Sequence, residues 1–142
     1  QVGTPPVVIM DSPPENATFA VGDVFVVLGR ALDQDGNALL DSTMRWEIRQ
    51  HHNSHYHPYM PLTDGNNFAV PPAPEPEDFL AATNSHLEFL LYVQDRVTGL
   101  STVLSRTVMP NTIPVSIDSS PSGLELWVDD YPVTTPASIV TW

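Results

Sequence analysis

Lysine and cysteine are both absent from the 142-residue chain, and each absence excludes a class of function. Without cysteine there is no disulfide framework, no thiolate metal site and no thiol nucleophile. Without lysine, the five basic residues are all arginines (Arg30, Arg45, Arg49, Arg96 and Arg106); they face 17 acidic residues, and the net charge is -12. Nucleic acid is not expected as a partner, because phosphate binding needs clustered Lys and Arg. An anionic membrane surface is disfavoured for the same reason. Long apolar runs are missing, so membrane insertion is not expected either. No Gly-x-Ser-x-Gly, P-loop, dinucleotide fingerprint or His-Glu-x-x-His occurs, and the chain is expected not to be an enzyme. No signal peptide is visible. An acidic, lysine-free surface nevertheless suits a secreted, cell-surface or periplasmic setting, where salt screens its self-repulsion.

Glycine is sparse, but 15 prolines cut the chain into short segments, which argues against long helices. The segments between them are rich in Val, Ile, Leu, Thr and aromatics, as strands are. Strands are expected near 6–10, 17–20, 23–32, 43–51, 66–70, 85–95, 100–109, 112–118, 123–129 and 137–141. In 85–95, Leu87, Phe89, Leu91 and Val93 alternate with His86, Glu88 and Tyr92. In 43–51, Trp46 and Ile48 oppose Arg45, Glu47, Arg49 and His51. One dry and one wet side per strand predicts an all-β antiparallel sandwich with Trp46 in its core. Residues 51–65 are expected to form a polar loop, 70–78 a proline-rich surface connection, and 76–84 at most a helical turn. A break at Met109-Pro110-Asn111 divides the chain into a sandwich, 1–110, and a short C-terminal β extension, 111–142. The extension ends on an apolar segment, Ile139–Trp142, which suggests a cut within a longer protein.

Three constellations carry candidate chemistry. Four of the five histidines lie within His51-His52-Asn53-Ser54-His55-Tyr56-His57, and His86 begins a neighbouring strand. Imidazoles suit zinc or copper, so His51, His52, His55, His57 and His86 are candidate ligands of a transition metal. No more than three or four can bind one ion. Parity puts His52 on the opposite side from His51, which makes His52 the first to set aside. Asp64, Glu88 and Glu47 are candidate carboxylate partners. The alternative is a polar loop whose histidines stack or bond to backbone. In Asp33-Gln34-Asp35-Gly36-Asn37, the side chains of Asp33, Asp35 and Asn37 resemble the start of a calcium loop, although Met44 stands where an EF-hand needs Glu; the alternative is a β-turn. Tyr56 and Tyr59 are candidate stacking platforms for a sugar ring, against ordinary loop packing.

The blocks "ATFAVGD", "GRALDQDGNAL", "WEIRQHHNSHYHP", "SHLEFLLYVQD" and "GLSTVLSRTVMPNTIPVSIDSSPSGLELWVDD" together resemble the immunoglobulin-like, PKD-type domain found beside bacterial sugar dehydrogenases of the glucose/sorbosone type and other secreted carbohydrate-active proteins. The tail "SPSGLELWVDDYPVTTP" is similar to the opening of a PEGA-type module. The resemblance implies an immunoglobulin-like sandwich attached to an enzyme whose chemistry sits elsewhere. Many members of that family carry a cysteine pair in the histidine loop, which this chain lacks; if the histidines form a pre-organised site, something else, such as a metal ion, must hold it. The expected function is a non-catalytic extracellular accessory module with a metal-binding histidine cluster. The alternatives are a polysaccharide-binding module of a secreted enzyme, or a self-assembling subunit that adds a strand to its neighbour's sheet.

Overall fold

The computed structural model describes residues 3–142. It is all-β, with antiparallel sheets whose arrangement is consistent with a sandwich. Three strands, β1 (Val7–Ser12), β3 (Val26–Leu32) and β6 (Phe68–Ala69), form one sheet in the order β1-β3-β6. Five more, β2 (Thr18–Phe19), β4 (Ser42–His52), β5 (His55–Asp64), β7 (His86–Asp95) and β8 (Ser101–Pro110), form a second in the order β2-β8-β7-β4-β5. Only the short β2 runs parallel to its neighbour there.

The alternation expected in β4 and β7 is the alternation observed. Trp46, Ile48, Leu87, Phe89, Leu91 and Val93 are buried, and they meet Met10, Val27 and Ala31 of the smaller sheet in one core. Each large side chain so buried contributes about 1.5–3 kcal/mol of hydrophobic stabilisation. The sheets approach closely at Gly29, where a Cβ would fall 2.4 Å from Leu91 Cδ2 and 3.3 Å from Trp46 Cζ2. Asn66 fixes that point, accepting a hydrogen bond from the Gly29 amide (2.8 Å) and donating one to its carbonyl (2.9 Å).

The expected loop at 51–65 is instead a strand. Residues His55–Asp64 pair with β4 from Arg45 to His52, so this region is a hairpin. Pro58 and Pro61 concealed it, because proline cannot donate to a ladder. They are tolerated because β5 is the sheet edge, and the register slips between Trp46 and Arg49.

The C-terminal extension forms two ribbons. β9 (Ile113–Ile117) pairs with β12 (Ala137–Thr141), and β10 (Glu125–Val128) pairs with β11 (Tyr131–Thr134). β11 was not expected: its turn, Asp129-Asp130, takes left-handed φ at both residues (47° and 64°) without the usual glycine. The apolar end has a packing role. Trp142 is buried edge-on against Phe19 (centroids 5.6 Å apart), and its indole N–H donates to the Pro74 carbonyl (2.8 Å).

Candidate metal centre

The site begins with a two-residue turn. Asn53-Ser54 joins β4 to β5, with Asn53 in the left-handed region at φ 51°, a conformation asparagine tolerates. Asn84 braces the turn from outside: its side chain accepts from the Asn53 amide (2.8 Å) and donates to the Asn53 carboxamide (2.9 Å). A tight hairpin fixes which residues share a face. His52 lies opposite His55 and Gln50 opposite His57, so His52, His55 and His57 project from the inner side of the sheet.

The three rings converge. His57 Nε2 lies 3.0 Å from His52 Nε2 and 3.2 Å from His55 Nε2. His52 is buried, while His55 and His57 are exposed. Nitrogens this close bring lone pairs or N–H groups head to head unless a proton or a cation lies between them. Three nitrogens bound tetrahedrally at the zinc–imidazole distance of about 2.0–2.1 Å stand about 3.3 Å apart. The trio is therefore within a few tenths of an ångström of a coordination triangle on two of its edges, and it can hold a metal ion.

A carboxylate completes the surroundings. Glu77, in the proline-rich segment, places Oε2 2.6 Å from His52 Nε2 and 3.6 Å from His57 Nε2. No sequence signal marked Glu77. It is 25 residues from His52 in a segment without strand periodicity, and only the chain path over the hairpin brings it near.

The five histidines do not converge on one point. His51 and His86 project from the opposite, outer face, where their rings stack in parallel (4.7 Å, 7°). His52, set aside by parity, belongs to the trio, and His51, retained by parity, does not. The parity was right; the inner face was wrongly assumed to be wholly dry. Glu88 and Glu47 belong to the outer network. Glu88 accepts from His51 Nε2 (2.9 Å) and from Ser105 (2.6 Å), while Glu47 accepts from Arg49 (2.8 Å) and Tyr92 (2.8 Å). The Arg49 and Tyr92 bonds hold the Glu47 carboxyl below its ordinary range. Burial pushes Glu88 up, but Ser105, His51 and Arg49 outweigh it and leave Glu88 low. Burial and the neighbouring His51 push the His86 imidazole down. Asp64 sits across from Arg45, at the other end of β5 from the trio.

The remaining candidates lie away from the trio or are held in local contacts. Asp33 Oδ1 accepts from the amides of Asp35 (2.9 Å) and Asn37 (2.8 Å), and its Oδ2 from the Asn37 carboxamide (3.3 Å). Those bonds close a turn and hold the Asp33 carboxyl low, with the Asn37 amide the main cause. The same bonds engage both carboxylate oxygens of Asp33 within the turn itself. Tyr59 and Tyr56 do not form a pair of platforms. Tyr59 packs against the core with its hydroxyl donating to the Pro72 carbonyl. Tyr56 stands on the outer face, with Arg49 Cζ 4.6 Å above its ring.

Among known proteins, no family model, curated protein or solved structure matches this chain. Among the described residues, no helix is long and apolar enough to cross a membrane.

Proposed function

We propose that the chain is a non-catalytic extracellular accessory module of the immunoglobulin-like, PKD type, in which His52, His55 and His57 bind a transition metal as a structural staple. The observation that carries this reading is the convergence of three Nε2 atoms at the hairpin tip, at 3.0 and 3.2 Å from His57. Imidazole nitrogens suit zinc and copper, and in the absence of cysteine they are the softest strong donors the chain has. Zinc, which has no redox role, suits a staple best. An ion bound only by the folded chain stabilises it by mass action. The partner in this reading is a neighbouring domain of a larger secreted protein.

The test is elemental analysis of protein purified without a histidine tag, paired with melting curves in zinc and in chelator. Bound metal and a lower midpoint in chelator or in His55→Ala are expected. Protein that takes up neither zinc nor copper, and melts alike with and without chelator, rules the reading out.

A second reading, self-assembly, is favoured by one observation. Trp127 is 69% exposed in the two-stranded β10–β11 ribbon, and Ile113 and Val115 are exposed in β9 of the other ribbon. Such ribbon edges can accept a strand from another copy. Light scattering over a range of concentrations tests it, and a mass fixed at that of the monomer rejects it.

A further inference from the structure

Residues 70–84 cross the molecule as a strap with two sides. On one side it covers the histidine hairpin: Pro72 accepts from Tyr59, Glu77 reaches His52 and His57, and Asn84 braces Asn53. On the other side it carries the C-terminal ribbons. The Pro74 carbonyl accepts from the Trp142 indole at 2.8 Å, Phe79 packs edge-on against Tyr131 with centroids 5.8 Å apart, and β12 touches the 3-10 turn Ala81–Thr83. Glu77 sits between these contacts, two residues from Phe79 and three from Pro74. The start of the strap is anchored on the sandwich by Val70 and Ala73, which are buried in the core and bonded through their backbones to residues 22–25, whereas the stretch around Glu77 forms no strand.

We propose that Glu77 is the fourth ligand of the hairpin-tip site, so that a bound divalent transition metal latches the strap, and with it the C-terminal ribbons, onto the sandwich. The inference rests on the metal-binding reading of the three histidines and adds to it a ligand and a consequence. Three imidazoles and one carboxylate make a four-coordinate set with a net negative donor charge, which suits a divalent ion. Glu77 Oε2 already stands 2.6 Å from His52 Nε2 and 3.6 Å from His57 Nε2, on either side of the roughly 3.3 Å edge of a tetrahedral site. A sub-ångström movement would even those two edges; Glu77 lies outside the group of ligand atoms that stand within 4.8 Å of one another, so completing the tetrahedron also takes a swing of this half-exposed side chain towards His55. The metal would then add a cross-link between the hairpin tip and the middle of the strap, beyond the backbone bonds and buried alanines that hold the strap at its ends.

The test uses the full chain with zinc as the probe, in the wild type, Glu77→Gln and His55→Ala. Calorimetry reads zinc affinity, and amide exchange by mass spectrometry reads 113–117 and 137–141. Zinc is expected to bind the wild type and slow exchange in both C-terminal strands. Glu77→Gln is expected to weaken binding by at least about tenfold, the lower bound seen when a group supporting a metal site is removed. It should also lose the C-terminal protection, even at saturating zinc. Both side chains are exposed, so neither variant disturbs the core. The latch is overturned if Glu77→Gln binds zinc as tightly as the wild type, or if saturating zinc leaves exchange in 113–117 and 137–141 unchanged. A wild type that binds no zinc overturns the metal-binding reading and the latch together. His55→Ala separates the cases, since it should abolish binding whether or not Glu77 is a ligand.

Discussion

Gly29→Ala tests the packing that positions everything else. The added methyl would lie 2.4 Å from Leu91 Cδ2, about an ångström inside ordinary contact, and 3.3 Å from Trp46 Cζ2. A leucine terminus at the surface could swing away. Leu91 is fully buried in the same cluster as Trp46, Phe89 and Val93, where close packing makes such a shift costly. Gly29 cannot retreat easily either, because both of its backbone polar groups are bonded to Asn66. Overpacking of this kind costs about 1–3 kcal/mol. The reduced freedom of the unfolded chain offsets about 0.4–1 kcal/mol of that, since the Gly29 backbone is not one that requires glycine. A net loss of about 1–2 kcal/mol is expected, read as a lower urea midpoint at unchanged slope. A double-mutant cycle sharpens the test. Leu91→Ala alone should cost about 2–5 kcal/mol. Combined with Gly29→Ala, it should cost less than the sum by about 0.5–3 kcal/mol, because the new methyl enters the space vacated by Leu91. A Gly29→Ala variant as stable as the wild type, with no coupling to Leu91, would refute the face-to-face approach of the two sheets at this point.

Zinc at a hundred times its dissociation constant should stabilise the chain by about 2.7 kcal/mol, read in the denaturant midpoint and reversed by chelator. Asn53→Ala should lose about 1–2 kcal/mol, because alanine pays for left-handed φ and the bond from the Asn84 carboxamide is lost; Asn53→Gly should lose less. Acidification in chelator should destabilise the fold in two stages. The folded pKa of His86 lies below its ordinary 6.5, so the fold favours the neutral ring, and stability present above pH 6.5 falls as the pH drops through that value. Glu47 and Glu88 also lie low in the fold, so their contribution is present above pH 4.5 and is lost as the pH falls further. His86→Gln should flatten the first stage and leave the second, as urea midpoints measured across the pH range would show.

Much of the sandwich was legible because burial writes a period of two into the sequence. Leu87, Phe89, Leu91 and Val93 fall on every second position, with Leu90 the one apolar residue between them, and Trp46 and Ile48 keep the same period, which makes β7 and β4 readable directly. β5 was not legible, since an edge strand needs neither alternation nor free amides, and Pro58 and Pro61 looked like loop residues. The pairing of β9 with β12, across the β10–β11 ribbon, is a long-range choice that no local pattern records. The histidine cluster was visible as composition, but its partition was not. His51 and His52 are adjacent in sequence and fall on opposite faces of one strand. Which face holds a metal group depends on the hairpin register, and that depends on the turn at Asn53-Ser54.

The inner face changes from apolar to imidazole towards the hairpin tip. β4 runs for 11 residues and β5 for 10, whereas β3 and β1 run for 7 and 6. These long strands carry the inner face out to the hairpin tip, where Glu77 and Asn84 of the 70–84 segment lie against it. Apolar side chains at 52, 55 and 57 would present a greasy patch to whatever covers them, and the cover is the proline-rich strap, with Glu77 among its polar groups. Histidine fits this boundary: its ring packs like an apolar group and its nitrogens answer a carboxylate or a metal. The dry core and the trio lie on one continuous face of β4, from Trp46 through Ile48 and Gln50 to His52. The trio thus serves the fold as an end-plug whether or not an ion is bound, and a cation there would convert a cluster of competing nitrogens into a cross-link. On this argument, replacing all three histidines by leucine should leave the sandwich folded and abolish zinc binding. It should also expose an apolar tip that promotes association, visible as a rise in mass by light scattering. A soluble monomer that still binds zinc after that replacement would contradict the placement of the site.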